Sequence, residues 1–141
     1  MKKILLVVLP GVNDNVDTPR KTVFDDSMAE LKKMNYEPIE ARNLSDAQTF
    51  SDGADFTVVY SHMSWAMDPN SERSIEAINF MHGLSERDAN WGILRMKMSS
   101  EKFKEFYQNQ GIEPTFVELM TVGVEKRIAG KIQKQLLVPE G

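Results

Sequence analysis

The segment Lys3-Ile4-Leu5-Leu6-Val7-Val8-Leu9 is an unbroken apolar run that follows a single lysine. A strand has this composition when both of its faces are covered, because neither face then meets water. The segment Asp55-Phe56-Thr57-Val58-Val59-Tyr60-Ser61 has the same character further along the chain. Doubly covered strands are typical of parallel sheets that carry helices on both faces. These two segments therefore predict an α/β architecture.

Outward from these segments, strand-like and helix-like patterns alternate along the whole chain. Helices are predicted to begin near Thr18, Ser45, Pro69, Ser100 and Val124, and the predicted strands are 3–9, 36–41, 55–61, 91–98 and 114–122. Right-handed crossovers and short connections favour a five-stranded parallel sheet in the order 2-1-3-4-5. The predicted fold class is a three-layer α/β domain, flavodoxin-like or Rossmann-like. We expect residues 1–141 to form one domain.

Composition excludes several kinds of function. The chain has no cysteine, so it has neither disulfides nor thiolate metal sites, and its two histidines do not have metal-ligand spacing. We expect neither a metal nor a cofactor. A formal net charge of −4 argues against binding duplex nucleic acid. The apolar run Ile4–Leu9 is too short for a signal peptide or a membrane span, so we expect a cytoplasmic protein without membrane contact.

The predicted strand order reverses between the first and third strands, and ligands bind outside the carboxyl ends of the strands at such a switch point. The loops that flank it, residues 11–20 and 62–70, are the longest predicted. The first loop lacks the glycine patterns of dinucleotide and triphosphate sites. The side chains and backbone available there to hydrogen-bond a sugar or base belong to Gly11, Asn13, Asp14 and Asn15. The alternative is that these residues only form a turn.

The second loop combines an indole with polar groups. Trp65 can stack on a flat ring such as a nucleobase, with Ser61 at the end of the strand beside it. His62 can exchange protons near neutral pH. Two alternatives stay open: Trp65 packs back onto the core, and His62 is a strand-end residue without a role. A response-regulator function needs an aspartate at the end of the third strand, where Ser61 and His62 stand instead.

Two carboxylates accompany this loop. Asp68 lies near its end, and Glu76 lies in the first two turns of the following helix. A carboxylate pair suits displacement at a sugar carbon, in which one group attacks and the other handles the proton. The alternatives are that Asp68 caps the helix, with Pro69 in its first turn, and that Glu76 is a solvated helix residue.

Three segments resemble the nucleoside 2-deoxyribosyltransferase-like family. They are Leu9-Pro10-Gly11, Ala54-Asp55-Phe56-Thr57-Val58-Val59 and the stretch from Ser74 to Leu84. The resemblance implies that Glu76 is the nucleophile and that Asp68 is the supporting acid. Ile78 stands where the family has a glycine, and the Gly-Thr or Gly-Ser before the helix is missing. A member that binds nucleotides without cleaving them is equally consistent with these differences.

The resulting hypothesis is a protein that binds a small nucleoside or nucleotide, acting as an N-glycosidase or deoxyribosyltransferase if it is an enzyme. One alternative is a non-enzymatic adaptor or inhibitor on a flavodoxin-like fold. A second is an NAD-processing domain similar to Toll/interleukin-receptor domains, because Ser61 and Trp65 distantly resemble the end of their third strand. Apolar side chains on two helices also predict a homodimer or larger homo-oligomer; they are Met81, Phe103, Phe106 and Tyr107.

Overall fold

The computed structural model describes residues 2–9, 18–61, 65, 68–87, 89–95, 100–119 and 123–137. Its strands are β1 Lys3–Val7, β2 Glu37–Ala41, β3 Phe56–Ser61, β4 Trp91–Arg95 and β5 Phe116–Leu119. Its helices are α1 Thr18–Lys33, α2 Leu44–Ser51, α3 Glu72–Glu86, α4 Ser100–Asn109 and α5 Val124–Leu137. No helix in these ranges is long and apolar enough to cross a bilayer.

The five strands form one parallel sheet in the order β2-β1-β3-β4-β5, which confirms the predicted fold class and strand order. The strand β1 pairs Leu6 with Glu40 of β2 on one side and with Val58 of β3 on the other. β1 ends at Val7 rather than at the predicted Leu9, although Leu9 is still buried. Val8 and Leu9 thus remain buried although they lie beyond the end of β1.

Each face of the sheet buries its own core, because successive side chains of a strand point to opposite faces. One core packs under α2, α3 and α4, and the strands contribute Leu5, Val7, Val59, Trp91 and Ile93 to it. The other packs under α1 and α5, and the strands contribute Ile4, Leu6, Val58, Tyr60 and Leu94 to it. Burial on both faces explains why the inner strands lack polar alternation.

Helix α3 begins later than predicted and continues past a glycine. The predicted start near Pro69 is wrong, and so is the alternative that Asp68 caps the helix. Ser71 is the N-cap, and its Oγ accepts from the Ser74 N–H at 3.2 Å. Asp68 instead accepts a turn hydrogen bond from the Ser71 N–H through its backbone carbonyl. Gly83 is a typical residue at a helix end, yet α3 continues to Glu86. The fully buried Leu84 lies one residue beyond Gly83, so core packing outweighs the glycine's low helix propensity.

Candidate functional site

A pocket of about 200 Å³ opens at the carboxyl end of the sheet, on the face covered by α2 and α3. We call it the carboxyl-end pocket; its lining residues are Leu9, Asn43, Leu44, Arg73, Glu76 and Ala77. Leu9 follows β1, Asn43 caps α2, and the last three residues lie in the first turns of α3. The pocket therefore lies beside the predicted switch point.

Of the two predicted catalytic residues that the structure describes, Glu76 and Asp68, one lines this pocket. Glu76 lines it with an exposed side chain, one turn after Arg73. Asp68 is exposed and is not part of the lining. The Asn43 side chain accepts from the Asp46 N–H at 2.8 Å, so its oxygen already caps α2. His62, together with the predicted ligand-binding residues Gly11, Asn13, Asp14 and Asn15, lies outside the described residues.

The other two predicted ligand-binding residues are buried. Trp65 is 0% exposed within the core under α2, α3 and α4, so its indole does not form the expected open stacking surface. The gain from burying a large indole favours this placement over a solvated one. Ser61 is 5% exposed and shares a hydrogen bond with the hydroxyl of Tyr107 on α4. Burial raises the pKa of Tyr107, so this pair is neutral and joins β3 to α4.

The helix side chains that suggested oligomerisation are largely used within the chain itself. Met81 is fully buried and Tyr107 is 4% exposed, and Phe106 packs partly buried against the same core. The side chain of Phe103 lies outside the described residues. The core of a single chain therefore covers most of the apolar surface on which that prediction depended. Across the described ranges, no group of acidic and histidine side chains has the arrangement of a metal site.

A second surface, which contains none of the predicted site residues, lies where β5 meets α5. Glu118 of β5 accepts from Lys131 Nζ at 2.7 Å and from Arg127 Nε at 3.4 Å. Its side chain is 15% exposed. Partial burial alone would raise the pKa of Glu118, but the hydrogen bonds and charges of Lys131 and then Arg127 outweigh it and lower that pKa. The carboxylate thus holds two cations beside the edge of the sheet.

A pocket of about 210 Å³ continues this surface toward the start of β5. Its lining residues are Thr115, Phe116, Lys131, Lys134 and Gln135. Arg127, Lys131 and Lys134 recur at i, i+4 and i+7, so they share one side of α5. These three cations and Glu118 together carry an excess of two positive charges. We call these four residues, with Thr115, Phe116 and Gln135, the β5–α5 surface.

Aromatic stacking fixes the floor of this surface. The Phe116 ring stacks on Phe56 with centroids 5.5 Å apart, and Lys131 Nζ lies 5.5 Å from the centroid of the same ring. Phe116 also lies across Gly92 of β4, where an added Cβ would lie 2.6 Å from the nearest ring carbon. Gly92 therefore gives the ring the space in which to lie flat. The ring in turn supports Lys131 through a cation–π contact.

One apolar side chain of β5 is exposed on the other face of the sheet. Val117 is 38% exposed, and it pairs in register with Ile93, whose side chain belongs to the core under α4. Its side chain is therefore on the opposite face of the sheet from Phe116 and Glu118. The sequence signal for the surface is the run of basic residues along α5, of which Arg127, Lys131 and Lys134 share one side. That pattern does not predict the ion pairs with Glu118, because these pairs depend on how α5 packs on β5.

Comparisons with known proteins identify the fold and no more. No family model matches the chain, and no curated protein sequence matches it. Solved structures do match in fold. A CheY-like response regulator receiver domain from Methanospirillum hungatei JF-1 has a TM-score of 0.63 at 16% identity, over 96% of this chain and 94% of its own. A Clostridium difficile two-component response regulator also has a TM-score of 0.63, at 12% identity over 99% of this chain and 100% of its own.

A flavodoxin shares the architecture as well. It is a short-chain flavodoxin associated with a non-canonical PDU bacterial microcompartment, with a TM-score of 0.59 at 13% identity, over 96% of this chain and 97% of its own. At these identities the likeness extends to the flavodoxin-like arrangement of strands and helices alone. Proteins of this fold perform unrelated functions, so function must be argued from the surfaces of this chain.

Proposed function

We propose that this chain is a non-enzymatic interaction domain that binds an acidic segment of a protein partner at its β5–α5 surface. The observation that carries the proposal is the positive group organised around Glu118 in a chain whose net charge is −4. Complementary charge steers partners together and disfavours wrong ones. An acidic segment is the partner chemistry that fits a surface with this excess of positive charge.

Two of the three cations of this surface are held in place before a partner arrives. Glu118 holds Lys131 and Arg127 by hydrogen bonds, and the Phe116 ring lies under Lys131. Ordering a flexible side chain on binding makes association less favourable, so side chains that are already held in place favour it. Lys134 lines the adjoining pocket with an exposed side chain, where a partner can reach its charge. It is therefore the residue whose removal tests the proposal.

The test uses a fluorescein-labelled peptide of about ten residues, rich in glutamate, titrated with the full chain at low ionic strength. Lys134→Ala should weaken binding by about threefold, the effect of losing one exposed ion pair. Lys126→Ala is the matched control, because it removes the same charge from the same helix. Lys126 immediately precedes Arg127, so its side chain leaves α5 about 100° around the helix from that residue.

The control separates a local effect from one of overall charge. Lys126 is exposed and lines neither pocket, so Lys126→Ala should bind within about 1.5-fold of the unaltered chain. Equal losses in the two variants would mean that only the overall charge matters, which would contradict a site on this surface. No binding of the acidic peptide to the unaltered chain would refute the proposal.

A second candidate function is the binding of a small nucleoside or nucleotide at the carboxyl-end pocket. The observation that favours it is the position of Glu76 in that pocket, next to Arg73 and beside the carboxyl end of β1. In the enzymatic form, Glu76 would attack the anomeric carbon and the base would leave with a proton from Asp68 or His62. The pocket volume of about 200 Å³ suits a sugar better than a whole nucleoside.

Incubation with nucleosides, nucleotides and NAD, followed by chromatography for released base, tests this second function. Glu76→Gln should abolish release while ligand binding survives, because only the attacking carboxylate is lost. Glu72→Gln is the matched control, since Glu72 is an exposed carboxylate one turn earlier on α3 that does not line the pocket. Release that persists in Glu76→Gln would exclude Glu76 as the nucleophile.

A further inference from the structure

We infer that the acidic segment binds as an added β-strand along the outer edge of β5, with acidic and apolar side chains in alternation. The inference rests on the proposed function and specifies how the partner is held. β5 is the terminal strand of the sheet, so alternate backbone N–H and C=O groups on its outer side have no strand partner in the described sheet. An extended segment can satisfy these groups directly.

The two edges of the sheet differ in their suitability for an added strand. The other edge, β2, contains Pro38, which has no N–H to donate, and it carries Glu37 and Glu40. An acidic segment is disfavoured there by both features. β5 has no proline and lies next to the cations of α5. The structure therefore favours β5 over β2 for a segment of this charge.

The side chains of β5 explain the alternation. Phe116 and Glu118 face α5, whereas Val117 faces the opposite side of the sheet and is 38% exposed. An added strand also points successive side chains to opposite faces. Its side chains on the α5 side meet Lys131 and Lys134, and those on the other side meet Val117. The matching segment carries acidic residues at every second position and apolar residues between them.

The lengths of the two elements also agree. β5 contains four residues, which extend over roughly 13 Å. The stripe from Arg127 to Lys134 rises about 10 Å along α5. Acidic residues two positions apart in an extended segment are roughly 6.6 Å apart, so two of them fit beside this stripe. A segment of about five residues is enough to cover the edge.

The test compares two labelled peptides of the same composition and about seven residues, by fluorescence anisotropy with the full chain. One alternates glutamate with valine or threonine, and the other groups its glutamates at one end. We expect the alternating peptide to bind about tenfold more tightly. In an added strand, every second backbone N–H points toward β5. Methylating that set of backbone nitrogens should abolish binding. Methylating the other set should leave the affinity within about twofold, because those nitrogens face away from β5.

A matched pair of variants tests the apolar side. Val117→Ser should weaken the alternating peptide by about threefold, whereas Ile75→Ser should leave it unchanged. Both residues are exposed aliphatic side chains, and Ile75 lies on α3. Equal binding of the two peptides, with both methylated sets tolerated, would overturn strand addition while leaving the proposed function intact. Failure of every acidic peptide to bind would refute both. A chain dimer that Val117→Ser dissociates would assign the edge to a second copy and overturn the inference.

Discussion

Gly92→Ala is the substitution whose effect follows most directly from the structure. A Cβ at this position would lie 2.6 to 2.8 Å from three carbons of the Phe116 ring. Ordinary contact begins near 3.4 Å, so the ring or the strand must move by about 0.8 Å. Phe116 is 8% exposed and stacks on Phe56, so the ring has little room in which to move.

The expected cost is about 1–3 kcal/mol of unfolding free energy, the range for an overpacked core. Replacing a strand glycine contributes roughly 0.5–1 kcal/mol in the opposite direction, because the unfolded chain loses freedom. The steric cost is larger, so the net change should be destabilising. Urea denaturation followed by tryptophan fluorescence measures it, with the midpoint and the slope reported separately.

A double-mutant cycle with Phe116→Leu isolates the cause. If the ring contact is responsible, Gly92→Ala should cost under about 0.5 kcal/mol once the ring has been removed. A Gly92→Ala protein as stable as the unaltered chain would contradict the close approach of Gly92 to Phe116. So would an equal cost of Gly92→Ala in both backgrounds, because it would assign the effect to the backbone of β4 instead.

Three further predictions concern stability. The pKa of Glu118 is lower in the folded chain, so its ionised carboxylate stabilises the fold fully above the unfolded value near 4.5, and this stabilisation is lost as pH falls through the folded value. Glu118→Gln should therefore make the unfolding free energy, measured by urea denaturation, depend less on pH between about pH 6 and pH 3. An unchanged pH dependence would contradict the pairing of Glu118 with Lys131 and Arg127. Gly130→Ala should raise the unfolding free energy by about 0.5–1 kcal/mol in denaturation experiments, because this exposed helix position has no atom within 4 Å of an added Cβ, and a loss would contradict that space. Trp65→Ala should cost about 3–5 kcal/mol in the same assay, whereas a change under about 0.5 kcal/mol would indicate a solvated indole.

The fold could be predicted from sequence because its signals are local and repeated. The apolar run of β1 and the matching run of β3 indicate strands covered on both faces, and the alternation with helices then restricts the sheet order. Helix bounds were predicted less well. Ser71, Asp68 and Pro69 are all reasonable start signals for α3, and only the tertiary structure selects Ser71. Packing of Leu84 likewise carries α3 past Gly83.

The site was harder to predict because side-chain environments depend on contacts that are distant in sequence. Trp65 falls in a predicted loop, where a solvated side chain is expected, yet its indole is fully buried in the core. Glu118 and Lys131 are 13 positions apart, and they meet only because α5 packs against β5. The apolar period of α5 predicts which face is buried, but not which strand its basic side adjoins. Glu76 lines a pocket at the carboxyl end of the sheet, and a role for its carboxylate stays a prediction.

Amide hydrogen exchange with the alternating acidic peptide locates the bound surface without any substitution in the chain. We predict that the peptide slows exchange in Phe116–Leu119, whose outer-edge amides have no partner in the described sheet, while exchange around Asn43 and Glu76 is unchanged. Slowed exchange at Asn43 and Glu76, with Phe116–Leu119 unaffected, would place binding at the carboxyl-end pocket and contradict binding at the β5–α5 surface.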